Sequence, residues 1–152
     1  MKPITAEWVE KAEGDFRSAQ REQRVRAHPN PDLVCFLCQQ CAEKYLKALL
    51  VEADTRFSKI HDLLALLKLV LPVAPFLASL RDKLEPLNDY AVEFRYPSET
   101  ATREEARLAL ANCRAVRKEI RKCLSLDGPP SAQLHLRVTE KRERYRTRPR
   151  KK

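Results

Sequence analysis

Apolar side chains recur every three or four positions through five segments of the chain, and short polar or proline-containing stretches separate these segments. This spacing places the apolar side chains of each segment on one face of an α-helix. The predicted helices cover, approximately, residues 6–27, 31–53, 58–70, 75–90 and 103–124. Because the connections between them are short, the pattern predicts an all-α, up-and-down bundle of four or five helices.

Helix-capping residues mark three of the predicted helix starts. Thr5 can cap the first helix, and Asn30, followed by Pro31, can cap the second. Thr102 and Glu105 have the spacing of a capping box at the start of the fifth helix. The second helix carries apolar residues nearly all around, which is typical of a central helix in a bundle or of a helix at a dimer contact.

The composition agrees with this fold class and sets the domain boundaries. The chain has 152 residues, of which 43% are hydrophobic, enough for the core of one ordinary domain. It has only 2 glycines, whereas tight hairpins and barrel corners need many. We predict a helical domain over residues 1–126 and a separate tail over residues 127–152.

The positive charge of the chain is concentrated in this tail. The formal net charge is +9, and residues 127–152 supply +6 of it, so residues 1–126 carry only +3. A chain end rich in arginine and lysine is typically solvated and disordered, and it attracts polyanions without sequence preference. The tail is therefore predicted to be disordered, and any nucleic-acid affinity that it adds is expected to be loose.

The sequence predicts a cytoplasmic protein. The first residues lack the apolar stretch of a signal peptide, and the longest apolar run, from Leu69 to Leu80, is short and interrupted by Pro72 and Pro75. No membrane span is expected. The 5 cysteines are an odd number, which fits reduced thiols in a reducing compartment.

Cys35, Cys38 and Cys41 form a CxxCxxC pattern within the second predicted helix. An uninterrupted helix spreads three such side chains over an arc, and tetrahedral zinc needs four converging ligands. The run also lacks the further Cys-Pro of an iron–sulfur motif. We therefore predict that these cysteines pack in the core, and we predict neither a metal site nor a cofactor.

Polar residues on or beside apolar elements are the candidates for a binding site. His61 lies between Arg56 and the third helix, where it could join a polar site or simply cap and pack. Lys47 lies on the apolar second helix, where it could line a polar groove or extend to the rim. Arg95 and Tyr96 precede a proline, and there a guanidinium could bind phosphate while the aromatic ring stacks on a base.

An internal role for Arg95 is the alternative. In that case its guanidinium would pair with a carboxylate such as Glu43, Asp89 or Glu93 and would hold the loop in place.

Taken together, several segments resemble the HEPN domain (higher eukaryotes and prokaryotes nucleotide-binding). The similarity covers residues 5–125, and it is most specific in AEKYLKALL of the second helix and in FRYP, with KIHDLLALL between them. The chain resembles a stand-alone family member of the RYP type. The resemblance implies a helical bundle that forms a homodimer and acts with a minimal nucleotidyltransferase in a toxin–antitoxin-like pair.

The resemblance also implies a test for catalysis. Active members of the family are metal-independent ribonucleases whose arginine is followed, after four to six residues, by a histidine near the start of the last long helix. No histidine follows Arg95 at that distance here. The spacing does occur at Arg56 and His61, and at Arg21 and His28, both outside the expected place. Arg56 and His61 are the candidate catalytic pair, because His61 lies within the family-like segment.

The sequence therefore predicts a HEPN domain protein that binds a nucleotide or RNA through Arg95, Tyr96, His61 and Lys47. A metal-independent endoribonuclease toxin that uses Arg56 and His61, or a substitute set such as Arg95 and Tyr96, is the first alternative. A helical module that only mediates protein assembly is the second.

Overall fold

The computed structural model describes residues 1–91 and 97–126, and within these ranges it is an all-α bundle. Its elements, in chain order, are α1 (Pro3–Gln23), α2 (Pro31–Glu52), α3 (Leu63–Val70), a 3₁₀ helix (Pro75–Leu80), α4 (Arg81–Asn88) and α5 (Arg103–Cys123). The predicted fold class is confirmed. Arg95, Tyr96 and the tail 127–152 lie outside the described residues.

Helix α2 is the centre of the bundle and contacts α1, α3, α4 and α5. Its central place agrees with its sequence, which is apolar on nearly every side. Helix α1 runs antiparallel to it, since the backbone N–H of Lys2 donates to Glu52 at one end and Glu22 accepts from the backbone of Asn30 at the other. Helix α5 packs on both α1 and α2.

Two of the three predicted caps are confirmed. The side chain of Asn30 accepts from Leu33 N, and Thr102 and Glu105 form a complete capping box. Thr5 has another role. Helix α1 starts earlier than predicted because Pro3 occupies its first turn, and the Thr5 hydroxyl instead donates to Glu52 at 2.6 Å.

The connection between α2 and α3 is longer than predicted. Helix α3 begins at Leu63 rather than near Ser58, because Asp62 caps it by accepting from Leu64 N and Ala65 N. The predicted fourth helix divides into the 3₁₀ helix and α4. As a result, residues 53–62 form an irregular, largely exposed connection that crosses the surface beside α2.

The core is a single cluster of buried apolar side chains contributed by all five α-helices. Cys35, Cys38 and Cys41 are fully buried in it, together with Cys113 from α5. No helix among the described residues has the length and apolar character needed to cross a membrane.

Candidate functional site

Three buried polar side chains interrupt the apolar surface of α2. Gln39, Glu43 and Lys47 are spaced four residues apart, so they fall on one face of the helix. All three are buried, which is uncommon for a glutamate and a lysine unless they are paired. This buried polar face lies beneath the connection 53–62.

Glu43 is the hub of a set of hydrogen bonds. Its Oε1 accepts from Lys47 Nζ at 2.7 Å and lies 3.0 Å from His61 Nδ1, and its Oε2 accepts from Gln39 Nε2 at 3.1 Å. We call Gln39, Glu43, Lys47 and His61 the Glu43 network. It joins a buried helix face to a surface histidine.

Glu43 is held in its ionised form. Burial raises the pKa of a carboxyl, but here hydrogen bonds from Lys47 and Gln39 and the lysine charge outweigh it, so the pKa of Glu43 lies below its ordinary value. The Lys47 ammonium is also 5.7 Å from the ring centre of Trp8 and 6.0 Å from that of Phe57. These distances allow cation–π attraction, which stabilises the buried ammonium of Lys47.

His61 is the exposed member of the network. Its side chain is 68% exposed, whereas that of Glu43 is 5% exposed. An ionised carboxylate can only accept, so Nδ1 of His61 carries the hydrogen that points to Glu43. Nε2 is then the nitrogen that faces a ligand or solvent, and in the neutral ring it carries a free lone pair.

The backbone around His61 is anchored at both sides. Gln39 Nε2 donates to the carbonyl oxygen of His61 at 3.2 Å as well as to Glu43. On the other side, Asn88 of α4 accepts from Leu63 N at 2.8 Å and donates to Asp62 at 3.2 Å. The imidazole therefore projects from a fixed backbone, which is a requirement for an oriented functional group.

Two further side chains of α2, Gln40 and Lys44, fix the orientation of the Gln39 amide. Gln40 Nε2 donates to Gln39 Oε1 at 2.8 Å, and Lys44 Nζ donates to Gln40 Oε1 at 3.2 Å and to Asp15 of α1. With its oxygen accepting from Gln40, the amide of Gln39 has only one orientation in which its nitrogen donates to Glu43 and to His61. The polar face of α2 is thus ordered along its length.

The predicted site residues fall into three groups. Lys47 and His61 lie together, since both bind Glu43. Arg56 belongs to the same connection as His61 and is exposed. Arg95 and Tyr96 lie outside the described residues, so their part in the site stays a prediction.

Sequence reasoning missed Gln39 and assigned Glu43 only as a possible partner of Arg95. The signal that could have found both is the repeat of polar residues every four positions on an otherwise apolar helix. Buried polar side chains have to be paired with other polar groups, and here they bind one another and His61. The direct ligand contact expected of Lys47 stays a prediction, and in the described structure its ammonium is held by Glu43.

The comparisons with known proteins agree with this architecture. The family profile of the HEPN domain matches residues 5–123, a span that includes all of α2 and His61. The crystal structure of TT1696 from Thermus thermophilus is similar to this chain, with a TM-score of 0.68 and 25% sequence identity, over 80% of this chain and 98% of that one. No curated protein matches. With a family match over most of its length, the chain belongs to the HEPN domain family.

Proposed function

We propose that this chain binds a nucleotide, or RNA through one of its phosphates, at the surface around His61. Membership of the HEPN family supports a nucleotide- or RNA-related function in general terms. The observation that carries the proposal is the exposed imidazole of His61, which is held at Nδ1 by the buried, ionised carboxylate of Glu43. A hydrogen bond at Nδ1 fixes the orientation of the ring and leaves Nε2 for a ligand.

The surroundings of His61 suit an anionic ligand. The same connection carries the exposed side chains of Arg56 and Lys59, while its two carboxylates are engaged elsewhere: Asp54 pairs with Lys2, and Asp62 caps α3. Lys47 offsets the charge of Glu43 beneath it. Arginine binds phosphate through two parallel hydrogen bonds. In this proposal Arg95 adds a second guanidinium and Tyr96 stacks on the base, while Lys47 keeps Glu43 in place.

The partners are proposed from the family resemblance. The chain would form a homodimer and would act with a minimal nucleotidyltransferase as a toxin–antitoxin-like pair. The pair would work in the cytoplasm, where thiols stay reduced.

Fluorescence polarisation with labelled ATP and a short labelled RNA tests the binding. We expect His61→Ala and Arg95→Ala each to lower the affinity about tenfold, the loss of one charge-assisted hydrogen bond. His28→Asn is the matched control, because it removes another exposed histidine and because asparagine tolerates the positive φ of 52° at that position. Absence of binding by the wild type at low salt, or equal affinities for His61→Ala and His28→Asn, would refute the proposal.

A second candidate function, metal-independent endoribonuclease activity, is favoured by the same His61–Glu43 pair. With Nδ1–H directed at Glu43, Nε2 can take the proton of a ribose 2′-hydroxyl. The 2′-oxygen then attacks the adjacent phosphorus, and the 5′-oxygen leaves and takes up a proton. The products are a 2′,3′-cyclic phosphate and a 5′-hydroxyl. Arg56 is the candidate that steadies the phosphate charge.

This reaction has a clear assay. RNA is incubated with the protein in the presence of EDTA, and the ends of the fragments are identified. Cleavage that leaves 2′,3′-cyclic phosphates and is lost in His61→Ala supports the enzyme, as does growth arrest on induction that His61→Ala relieves. Intact RNA together with normal growth leaves binding as the function.

A further inference from the structure

Arginines are concentrated where α1 and α5 run side by side, on a surface separate from the Glu43 network. Residues 1–126 carry a net charge of only +3, yet six exposed arginines lie on these two helices and their ends. We call them the arginine rows. They are Arg17, Arg21 and Arg24 of the α1 row, and Arg103, Arg107 and Arg114 of the α5 row.

Helical geometry aligns each row. On α1 the three arginines follow at intervals of four and three residues, which is the spacing of neighbours on one helix face. On α5, with a turn of about 100° per residue, the three positions fall within roughly 40° of one another. Arg117 lies on the same side of α5 and reaches α1, so this side is the one next to α1.

Contacts between the helices bring the rows together. The guanidinium of Arg117 is 4.7 Å from the ring centre of Phe16 on α1, and that of Arg114 is 5.9 Å from it. At the other end, Arg103 donates to the carbonyl oxygen of Val25, just after α1, at 3.5 Å. Since α5 passes α1 antiparallel between these contacts, the two rows flank one strip of surface.

Few acidic side chains lie beside the rows. Glu104 pairs with Arg107 of the α5 row, and Glu13, one turn before Arg17 on α1, binds Arg117. Glu10 lies two turns before Arg17 on the same face of α1. Six arginines less Glu104 and Glu10 leave the rows an excess of four positive charges.

The strip is distinct from the surface around His61. Trp8 and Asp15, which contact Lys47 and Lys44, lie on the flank of α1 that faces away from the arginine rows. The α5 row spans 11 residue steps, a length of about 16 Å. At about 3.4 Å per nucleotide of a helical strand, that length matches several consecutive phosphates rather than one.

From this arrangement we infer that the arginine rows bind the phosphate backbone of an RNA strand. The inference rests on the proposed function for the choice of RNA. It adds a second surface, on the opposite flank of α1 from the Glu43 network, that binds several phosphates of one strand.

Charge-removing variants of the full-length protein test the inference. Arg17→Gln/Arg21→Gln/Arg24→Gln removes the α1 row while keeping residues that favour a helix. The control is Lys68→Gln/Arg81→Gln/Lys83→Gln, which removes three exposed positive charges from α3 and α4. Circular dichroism checks that both variants are folded. The probes are a labelled oligouridine RNA of about 20 nucleotides, the DNA strand of matching length and labelled ATP.

We expect the α1-row variant to lose about tenfold in RNA affinity at about 50 mM salt and its salt slope to fall by roughly two, because each phosphate contact to a single strand contributes about 0.7. The control variant should change much less, and ATP affinity should be the same in both. Equal RNA affinity of the two variants would overturn the inference, as would tighter binding of DNA than of RNA. ATP binding by His61→Ala is measured separately. A negative result for the arginine rows therefore does not refute the proposed site at His61, and a negative result at His61 does not refute the arginine rows.

Discussion

Two carboxylates shielded from solvent join elements of this bundle, and they differ in what they connect. Glu13 of α1 binds Arg117 through both oxygens, at 2.6 and 2.9 Å, and also accepts from the Tyr45 hydroxyl. Glu43 of α2 binds Lys47, Gln39 and His61. The partners of Glu13 are themselves shielded, whereas one partner of Glu43 is a largely exposed imidazole. The contacts of Glu13 join α1 to α2 and α5, whereas Glu43 contacts an imidazole that is exposed to solvent.

Both carboxyls are ionised by their partners against the effect of burial. Burial raises the pKa of Glu13, but hydrogen bonds from Arg117 and Tyr45 and the charges of Arg117 and Arg121 bring it below its ordinary value. The same competition lowers the pKa of Glu43. A lowered pKa therefore does not identify a functional site in this protein. The exposure of a hydrogen-bonded partner distinguishes the two.

The largest predicted effect on stability is that of Lys47→Met. Methionine keeps the apolar contacts with Trp8 and Phe57 but leaves the buried charge of Glu43 without its ammonium. Breaking a buried ion pair in this way costs about 3 kcal/mol of unfolding free energy. Urea denaturation at neutral pH measures the loss. A loss of unfolding free energy no larger than that of a typical surface substitution would mean that water reaches the Glu43–Lys47 ion pair.

The double variant Glu43→Leu/Lys47→Met sharpens this result. It removes both charges, so a good part of the stability should return. The ATP affinity should be lower than that of the wild type, because His61 has lost the carboxylate that orients it. Recovery of affinity along with stability would show that the network has no part in binding.

Arg117→Met is the corresponding change at Glu13, and its effect should be smaller. The pair is less shielded, with side-chain exposures of 25% for Arg117 and 17% for Glu13, so we expect a loss of about 2 kcal/mol. Among folded molecules the ATP affinity should be that of the wild type. If ATP binding fell as in Glu43→Leu/Lys47→Met, the two carboxylates would not have separate roles.

Acid should act on both carboxylates. A carboxyl whose pKa is lowered in the folded protein contributes stability that is fully present above its unfolded pKa, near 4.5, and is lost as the pH falls through the folded value. Stability should therefore change little from neutral pH down to about 5 on account of these groups and fall below that. Denaturation midpoints of the wild type and of Glu13→Gln/Glu43→Gln across this range measure the effect. The double variant should show the flatter dependence, and parallel curves would contradict the assignment.

The contrast between the two carboxylates also shows what the sequence could predict. Apolar spacing predicted all the main helices, and Asn30 and the Thr102–Glu105 pair marked two starts because capping depends on residues close in sequence. Thr5 was misassigned because its partner, Glu52, is 47 positions away. Lys47 and His61 were selected as polar residues in apolar surroundings, but the carboxylate that joins them depends on how the connection 53–62 crosses α2. Long-range polar pairing of that kind is set by packing, which local spacing does not encode.

The smallest predicted effect on stability, and the most direct test of the comparison, is that of Glu43→Gln. An amide oxygen in the place of Oε1 can still accept from Lys47, whose ammonium keeps its contacts with Trp8 and Phe57, so the expected loss is about 1.5 kcal/mol, that of one hydrogen bond to a charged group. The same oxygen faces Nδ1 of His61 but carries no full charge, so it holds the Nδ1–H form less strongly than the carboxylate does. In the wild type the neutral ring should be the Nδ1–H form, and the fraction of the Nε2–H form should rise in the variant. Nitrogen-15 correlation spectra of the imidazole distinguish the two forms, with His28 as the internal reference. A wild-type ring in the Nε2–H form would mean that Glu43 does not orient His61. Glu43 would then have a purely structural role, as Glu13 has.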